Sequence, residues 1–343
     1  MTLSEVTHTD KIVVLQHDSA EDFLAVAYPT LRRHERSANI VLAHALTRAP
    51  AVEYVLTDCQ FLTDADVELP SSAPPRQGTC FWLTVWSHSK SEPVLDMALS
   101  CLDSSFGNYP IFLWTAVEQS VSSSHWLDRR MDVLAQHLRA CLNPERVFSV
   151  FGTAVLAETF AKVWTGLAGF QIAPEPLYTA FFVVCTPQTL KPSKPAKGLA
   201  RKATMLDVAA AGRLCQEFAA TSHYRLGEAD AMLEAQALIE KGQLWVVEKE
   251  KEIASICAVT RTSLRVSAIT KVFTTPKWRR HGFAQDVVYE VTHRLFECGK
   301  HSVVLYVDPG NSAKRVYERV GFTEGGEVWL ELGFQVGKHT GHW

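Results

Sequence analysis

The stretch from Ser267 to Gly299 constrains this chain more than any other. Ser267–Thr275 is a β-rich run closed by Pro276. A basic turn, Lys277-Trp-Arg-Arg-His-Gly282, follows. Then Phe283, Val287, Val291 and Leu295 recur every fourth residue, the spacing of an amphipathic helix, and Gly299 stops it. A strand that feeds a helix through such a turn gathers the unpaired N–H groups of the first helical turn into one place, where they attract an anion. Arg279, Gly282 and Ala284 stand at R-x-x-G-x-A spacing. Gly282 has no side chain to keep a ligand from the backbone, and Ala284 has little. Arg279, Arg280 and His281 add positive charge, so the expected ligand carries phosphate.

The segment resembles the acyl-coenzyme A pyrophosphate loop of the GNAT superfamily of N-acetyltransferases, whose signature is Q/R-x-x-G-x-G/A. A second block supports the resemblance. Ser302-Val-Val-Leu-Tyr-Val-Asp308 reads as a strand, and Asn311-Ser-Ala-Lys-Arg-Val-Tyr-Glu-Arg-Val-Gly-Phe322 follows. That is similar to the family's strand–Asn–helix–Tyr–x₃–Gly-Phe ending. The two blocks together cover roughly the last 140 residues, and the resemblance implies a mixed α/β (α+β) fold with a central, mainly antiparallel sheet.

Nearly half of the 343 residues are apolar (47%) and 21% are charged, enough for two domains with large cores. The net charge of −3 argues against a general nucleic-acid binder. No run reaches the roughly 20 apolar residues of a membrane span, and Met1–Asp10 is polar, so a cytoplasmic location is expected. The eight cysteines are scattered without C-x-x-C spacing, which points to reduced thiols and no metal site.

Thr186–Lys202, with three prolines, five basic residues and no acid, reads as a linker or, alternatively, as a basic flap on a coenzyme phosphate. It divides the chain into 1–185, 186–202 and 203–343. The first part ends in a blurred copy of the second: a strand at Arg146–Phe151, a helix carrying Phe160-Ala-Lys-Val-Trp164, Gly169-Phe170, and a strand at Tyr178–Cys185. It holds no R-x-x-G-x-A; Thr84–Leu99 stands in the loop's place with His88, Ser91 and Pro93. Residues 1–185 are therefore expected to form a degenerate, coenzyme-free GNAT-like domain with a single helix over Thr30–Thr47, beside an intact one at 203–343.

The resemblance implies a chemistry: acyl transfer, acetyl as the expected group, from acyl-coenzyme A to a primary amine of a small molecule, by direct attack in a ternary complex and without a metal. The N–H groups of Arg280, His281, Gly282, Phe283, Ala284 and Gln285 would cradle the pyrophosphate. Val272, Phe273 and Thr274 would pair by backbone with the pantetheine arm, one of their N–H groups polarising the carbonyl. Tyr317 would protonate the departing sulfur, since a phenol is protonated at neutral pH, or else it is an ordinary half-buried tyrosine. Asn311 caps its helix, bonds the coenzyme arm, or both. No general base is visible: Ser267–Thr275 contains no acid, and Glu248 and Glu252 flank a turn. His223 and Tyr224 fall where the family's acceptor site begins. His301 reads as structural, and neither Ser122–His125 nor the tail with His339 and His342 has the make-up of a hydrolase or metal site. Two other functions stay open: a non-catalytic coenzyme A sensor or interaction module, and acetylation of protein lysines or N-termini.

Overall fold

The computed structural model describes residues 11–49, 74–89, 92–117, 124–192 and 200–336. The first half runs β1 (Ile12–His17), α1 (Ala20–Arg33), α2 (Asn39–Arg48), β2 (Phe81–Ser89), β3 (Glu92–Cys101), a small ribbon of β4 (Asp103–Ser104) and β5 (Gly107–Asn108), β6 (Ile111–Thr115), α3 (Ser124–Cys141), β7 (Ser149–Thr153), α4 (Ala154–Ala168) and β8 (Tyr178–Cys185). The second repeats that order: β9 (Ala200–Lys202), α5 (Val208–Ala219), α6 (Glu228–Glu240), β10 (Leu244–Lys249), β11 (Glu252–Thr262), β12 (Val266–Thr274), α7 (Phe283–Glu297), β13 (Ser302–Val307), α8 (Lys314–Val320) and β14 (Thr323–Gly333). The helix expected over Thr30–Thr47 is instead two helices, broken at His34–Ala38, with the Ser19 hydroxyl capping the first through Asp22 N at 3.0 Å.

Two mainly antiparallel sheets were expected, one per half. The strands instead form one continuous 12-stranded sheet in the order β1-β2-β3-β6-β7-β14-β8-β13-β12-β11-β10-β9. The order reads the same way inward from each edge, and its centre is an exchange. β8, the last strand of the first half, pairs with β13 of the second (Phe181↔Val307 to Cys185↔Val303). β14, the last strand of the second, pairs with β7 of the first (Trp329↔Thr153 to Gly333↔Ser149). The two exchanged strands pair with each other, Trp329 opposite Ala180 and Glu331 opposite Tyr178. Each half thus supplies the strand that covers the other's edge.

Helices cover both faces. α1 and α2 lie over a core that includes Phe112, Phe151, Ala180, Val304 and Trp329, drawn from both halves. α3 and α4 pack on the opposite face of the first half, α7 and α8 on that of the second. Trp82, Trp86, Trp114 and Trp164 are core residues, and Trp126 is partly buried against the core. The expected linker has fixed ends: Lys191 N donates to Val320 O (2.9 Å), and residues 200–202 form β9, an edge strand. Its middle, 193–199, lies outside the described residues, as does the tail with His339 and His342. Among the described residues no helix is long and apolar enough to cross a membrane.

Candidate active site

The site begins at a break in the sheet. β12 and β13 are parallel neighbours only from Val266↔Ser302 to Ala268↔Val304. The ladder between β11 and β12 is then irregular: Ala258 faces Lys271, Val259 faces Ile269 and Arg261 faces Ala268, so Thr270 on β12 and Thr260 on β11 are each left out of the pairing. An irregularity of this kind disrupts the ladder locally. Beyond it β12 stays with β11 while β13 stays with β8 up to Val307, and a gap opens between them. One edge of the gap is the backbone of Val272–Thr274.

Which N–H groups face the gap follows from the ladder. Thr275 N donates to Ala254 O on β11 (3.0 Å). Donors alternate along an antiparallel strand, so Phe273 also turns to β11, while Val272 and Thr274 present their N–H groups to the open side. Phe273 therefore leaves the set of three backbone donors expected from sequence. Its side chain is buried (8% exposed) on the face of α5 and α6, under the guanidinium of Arg279 at 5.6 Å.

The loop after β12 lies at the mouth of this gap. Glu252 anchors it, accepting from Lys277 Nζ (2.7 Å) and Trp278 Nε1 (3.3 Å); Lys277 holds the Glu252 carboxyl below its usual range. Arg279 donates to Thr274 O (3.2 Å), and a His281 ring nitrogen meets Arg279 O at 2.8 Å. Arg280 (φ 65°) and Gly282 (φ 93°) both sit in the left-handed region. A non-glycine residue there is strained, the kind of strain that gathers at ligand sites. The first helical bond of α7 is Asp286 N to Gly282 O (3.0 Å), and among the described residues no acceptor meets the N–H groups of Arg280 to Gln285. A Cβ on Gly282 would meet no atom within 4 Å, so the backbone faces open space. Arg280, His281 and Gly282 are exposed, Ala284 and Gln285 half-buried, and Phe283 is a core residue. Unmet donors gathered in this way can hold an anion.

Tyr317 sits across the same core. It shares a hydrophobic cluster with Trp278, Phe283 and Val287, and lines a cleft of about 390 Å³ with Val183, Val307 and Phe322. Burial, then Cys257 and Tyr178, raise its pKa well above the ordinary phenol value, so it stays protonated. Asn311 is exposed; its Oδ1 accepts from Ala313 N (2.9 Å) in the turn that starts α8, and Gly321 (φ 118°) ends the helix. That bond closes an Asx turn ahead of α8, whose N-cap position is Ala313.

The first half has a matching framework. Its parallel pair is β6 and β7, Ile111↔Val150 and Phe112↔Phe151. At Tyr317's place in the repeat stands Trp164, fully buried and stacked on Phe160 with centroids 5.7 Å apart. Thr84–Leu99 does not take the loop's place: it is the β2–β3 hairpin. The topological counterpart of the loop is the β6–α3 connection, residues 116–123, of which 118–123 lie outside the described residues.

Residues 247–330 match the model of the FR47-like protein family. Among solved structures the chain is similar to a Drosophila protein (TM-score 0.61, 11% identity, 94% of this chain and 98% of that one). It is also similar to GCN5-related N-acetyltransferases from Sphaerobacter thermophilus (0.50, 14%, 93% and 94%) and Kribbella flavida (0.50, 18%, 70% and 87%). The chain carries the GNAT fold. At these identities the structural likeness speaks to fold alone, and no curated protein sequence matches.

The GNAT frame also exposes a group that sequence reading passed over. Glu331 on β14 is buried (1% exposed) and its Oε1 accepts from Ser149 Oγ (2.7 Å) and Tyr224 Oη (2.6 Å). Tyr224 belongs to the α5–α6 segment, so that segment reaches across to strands of both halves. His223 beside it is exposed, and His301 is an exposed residue leading into β13. Glu248 bonds Arg201 (3.0 Å).

Proposed function

We propose that the chain is an acyl-coenzyme A-dependent N-acyltransferase, acting with acetyl-coenzyme A on a primary amine of a small molecule by direct attack in a ternary complex. One observation carries this reading. The sheet opens after Ala268↔Val304, with the uncommitted N–H groups of Arg280–Gln285 at one end and Tyr317, a phenol whose pKa burial raises, within the same core.

The residues fit the coenzyme chemically. The N–H groups of Arg280–Gln285, with Arg279, Arg280 and His281 beside them, offer donors and charge to a diphosphate. The gap-facing N–H groups of Val272 and Thr274 offer strand-like pairing to an amide-bearing arm and a donor to a carbonyl oxygen, where developing negative charge would be stabilised. When bound, the coenzyme supplies an acyl carbon activated as a thioester. Tyr317 holds its proton at Oη until a thiolate departs and then donates it. Overall the acceptor ammonium gives up two protons: one replaces that of Tyr317, the other goes to water. Holding the reactants together contributes several kcal/mol, on the order of the effects known for well-oriented groups.

Calorimetric titration with acetyl-coenzyme A should give a dissociation constant below a millimolar. Absence of binding would end this reading. Release of free thiol in the presence of primary amines, and not without them, separates an acyltransferase from a coenzyme sensor, and small amines tested against peptide acceptors separate it from a protein acetyltransferase.

A further inference from the structure

We propose that Glu331 is the receptor for the acceptor's ammonium group, and that the Tyr224 hydroxyl keeps its place until the acceptor arrives. The inference rests on the N-acyltransferase reading and names the chemistry of its second substrate.

The carboxylate lies at the seam of the two halves. Ser149 on β7 and Tyr224 of the α5–α6 segment both donate to its Oε1, over short distances of 2.7 and 2.6 Å. Short hydroxyl bonds to a carboxylate favour the charged form. In the ladder Glu331 stands opposite Tyr178. The Tyr178 pKa is raised by burial, then by Asp308 just past β13, while Arg261 lowers it and Glu331 raises it; Tyr178 in turn raises that of Tyr317. On its other side Glu331 faces Phe151 of β7, whose ring meets Tyr306 of β13, one wall of the gap, edge-on at 5.1 Å. The walls beside Glu331 are aromatic: Phe151 stacks on Tyr178 (6.4 Å), and Tyr306 meets Trp329 at 5.1 Å. A buried carboxylate beside aromatic faces is a setting that receives an organic cation.

Tyr224 is suited to yield. The residues before it, Ala220 to His223, are exposed, and the loop is held locally, Ser222 Oγ accepting from Tyr224 N (3.2 Å) and donating to Ala219 O (2.9 Å). Its links to the body of the sheet include an edge-on contact with Phe148 (6.2 Å), the bond to Glu331 and a side-chain hydrogen bond with Ser149. An incoming N–H would replace an O–H on the same oxygen, so the carboxylate keeps a donor throughout.

Two substitutions test this because they act in opposite directions. Glu331→Gln keeps an oxygen for Ser149 and Tyr224 but removes the charge. Tyr224→Phe removes the competing donor. With a panel of 2-phenylethylamine, putrescine, glucosamine and lysine, and acetyl-coenzyme A as donor, Glu331→Gln should raise the amine KM at least tenfold. Tyr224→Phe should lower it about threefold, with coenzyme affinity unchanged in both. If the three side chains merely fasten the loop, both variants lose melting temperature and the amine KM stays put or moves the same way; either result overturns the proposal. Wild-type protein that binds acetyl-coenzyme A but turns over no amine of the panel also overturns it while sparing the coenzyme site. Failure to bind the coenzyme at all removes the acyltransferase reading and this inference with it.

Discussion

Replacing Tyr317 by Phe removes one oxygen and tests what that oxygen does. Tyr317 is only 8% exposed, yet among the described residues its hydroxyl makes no hydrogen bond. The substitution therefore strands no partner, and the ring keeps its edge contact with Phe322 at 6.0 Å. A change that orphans nothing should alter stability by less than about 1 kcal/mol. Catalysis is another matter. A positioned general acid contributes roughly 10²–10⁴-fold in rate, so kcat should fall by about a hundredfold or more, equivalent to ~3 kcal/mol of barrier. Because the phenol pKa is raised, the wild-type rate should show no loss of this acid on the alkaline side up to about pH 9. The assay is thiol release at saturating amine, with calorimetry for coenzyme affinity and a thermal melt for folding. A kcat within threefold of wild type would remove Tyr317 from the chemistry. Lost coenzyme affinity with an intact melt would make it a binding residue instead.

Gly282→Ala meets no atom of the chain but forces a side chain onto φ 93°, a strain of about 1–2 kcal/mol; coenzyme affinity should drop at least tenfold by calorimetry while the fold persists. Gly321→Ala places a Cβ against the Thr189 carbonyl carbon, 2.8 Å away, at φ 118°. It should cost roughly 2–4 kcal/mol, read as a melting temperature lower by about 5 °C or more. His17, 7% exposed and bonded to Thr84 Oγ1 at 2.8 Å, has its pKa lowered to about 4, chiefly by burial. Unfolded chains take up its proton near pH 6.5, so its contribution is complete above that pH and drains away as pH falls toward 4. Urea unfolding should show the stability gap between wild type and His17→Gln narrowing by about 3 kcal/mol between pH 7 and 4; a constant gap would refute the assignment.

Local signals in the sequence were good guides to local structure. The strand at Tyr178–Cys185 has the bounds its composition suggested, and the helix after Gly282 follows its i, i+4 apolar spacing. The partners of Tyr178–Cys185 were not legible, because strand neighbours are set by crossovers and long-range burial, not by the strand's own residues. His34–Ala38 interrupts two helices without a glycine or proline, so periodicity ran across it. Thr260 and Thr270 stand in runs of β-formers, and nothing in their type marks the irregular pairing. Glu331 lies in the alternating run Val328-Trp-Leu-Glu-Leu332, where a charged residue reads as solvent-facing; only the exchanged register encloses it.

The crossing of β8 and β14 has a bearing on how such a molecule is made. The wall of the gap formed by β13 leans on a segment synthesised long before it, and the first half cannot close its own flank until the final strand leaves the ribosome. A cut between Pro192 and Ala200 would not yield two free modules. It would leave two interlocked pieces, each finishing the other, and a gene encoding only the second half would lack one side of its own cleft.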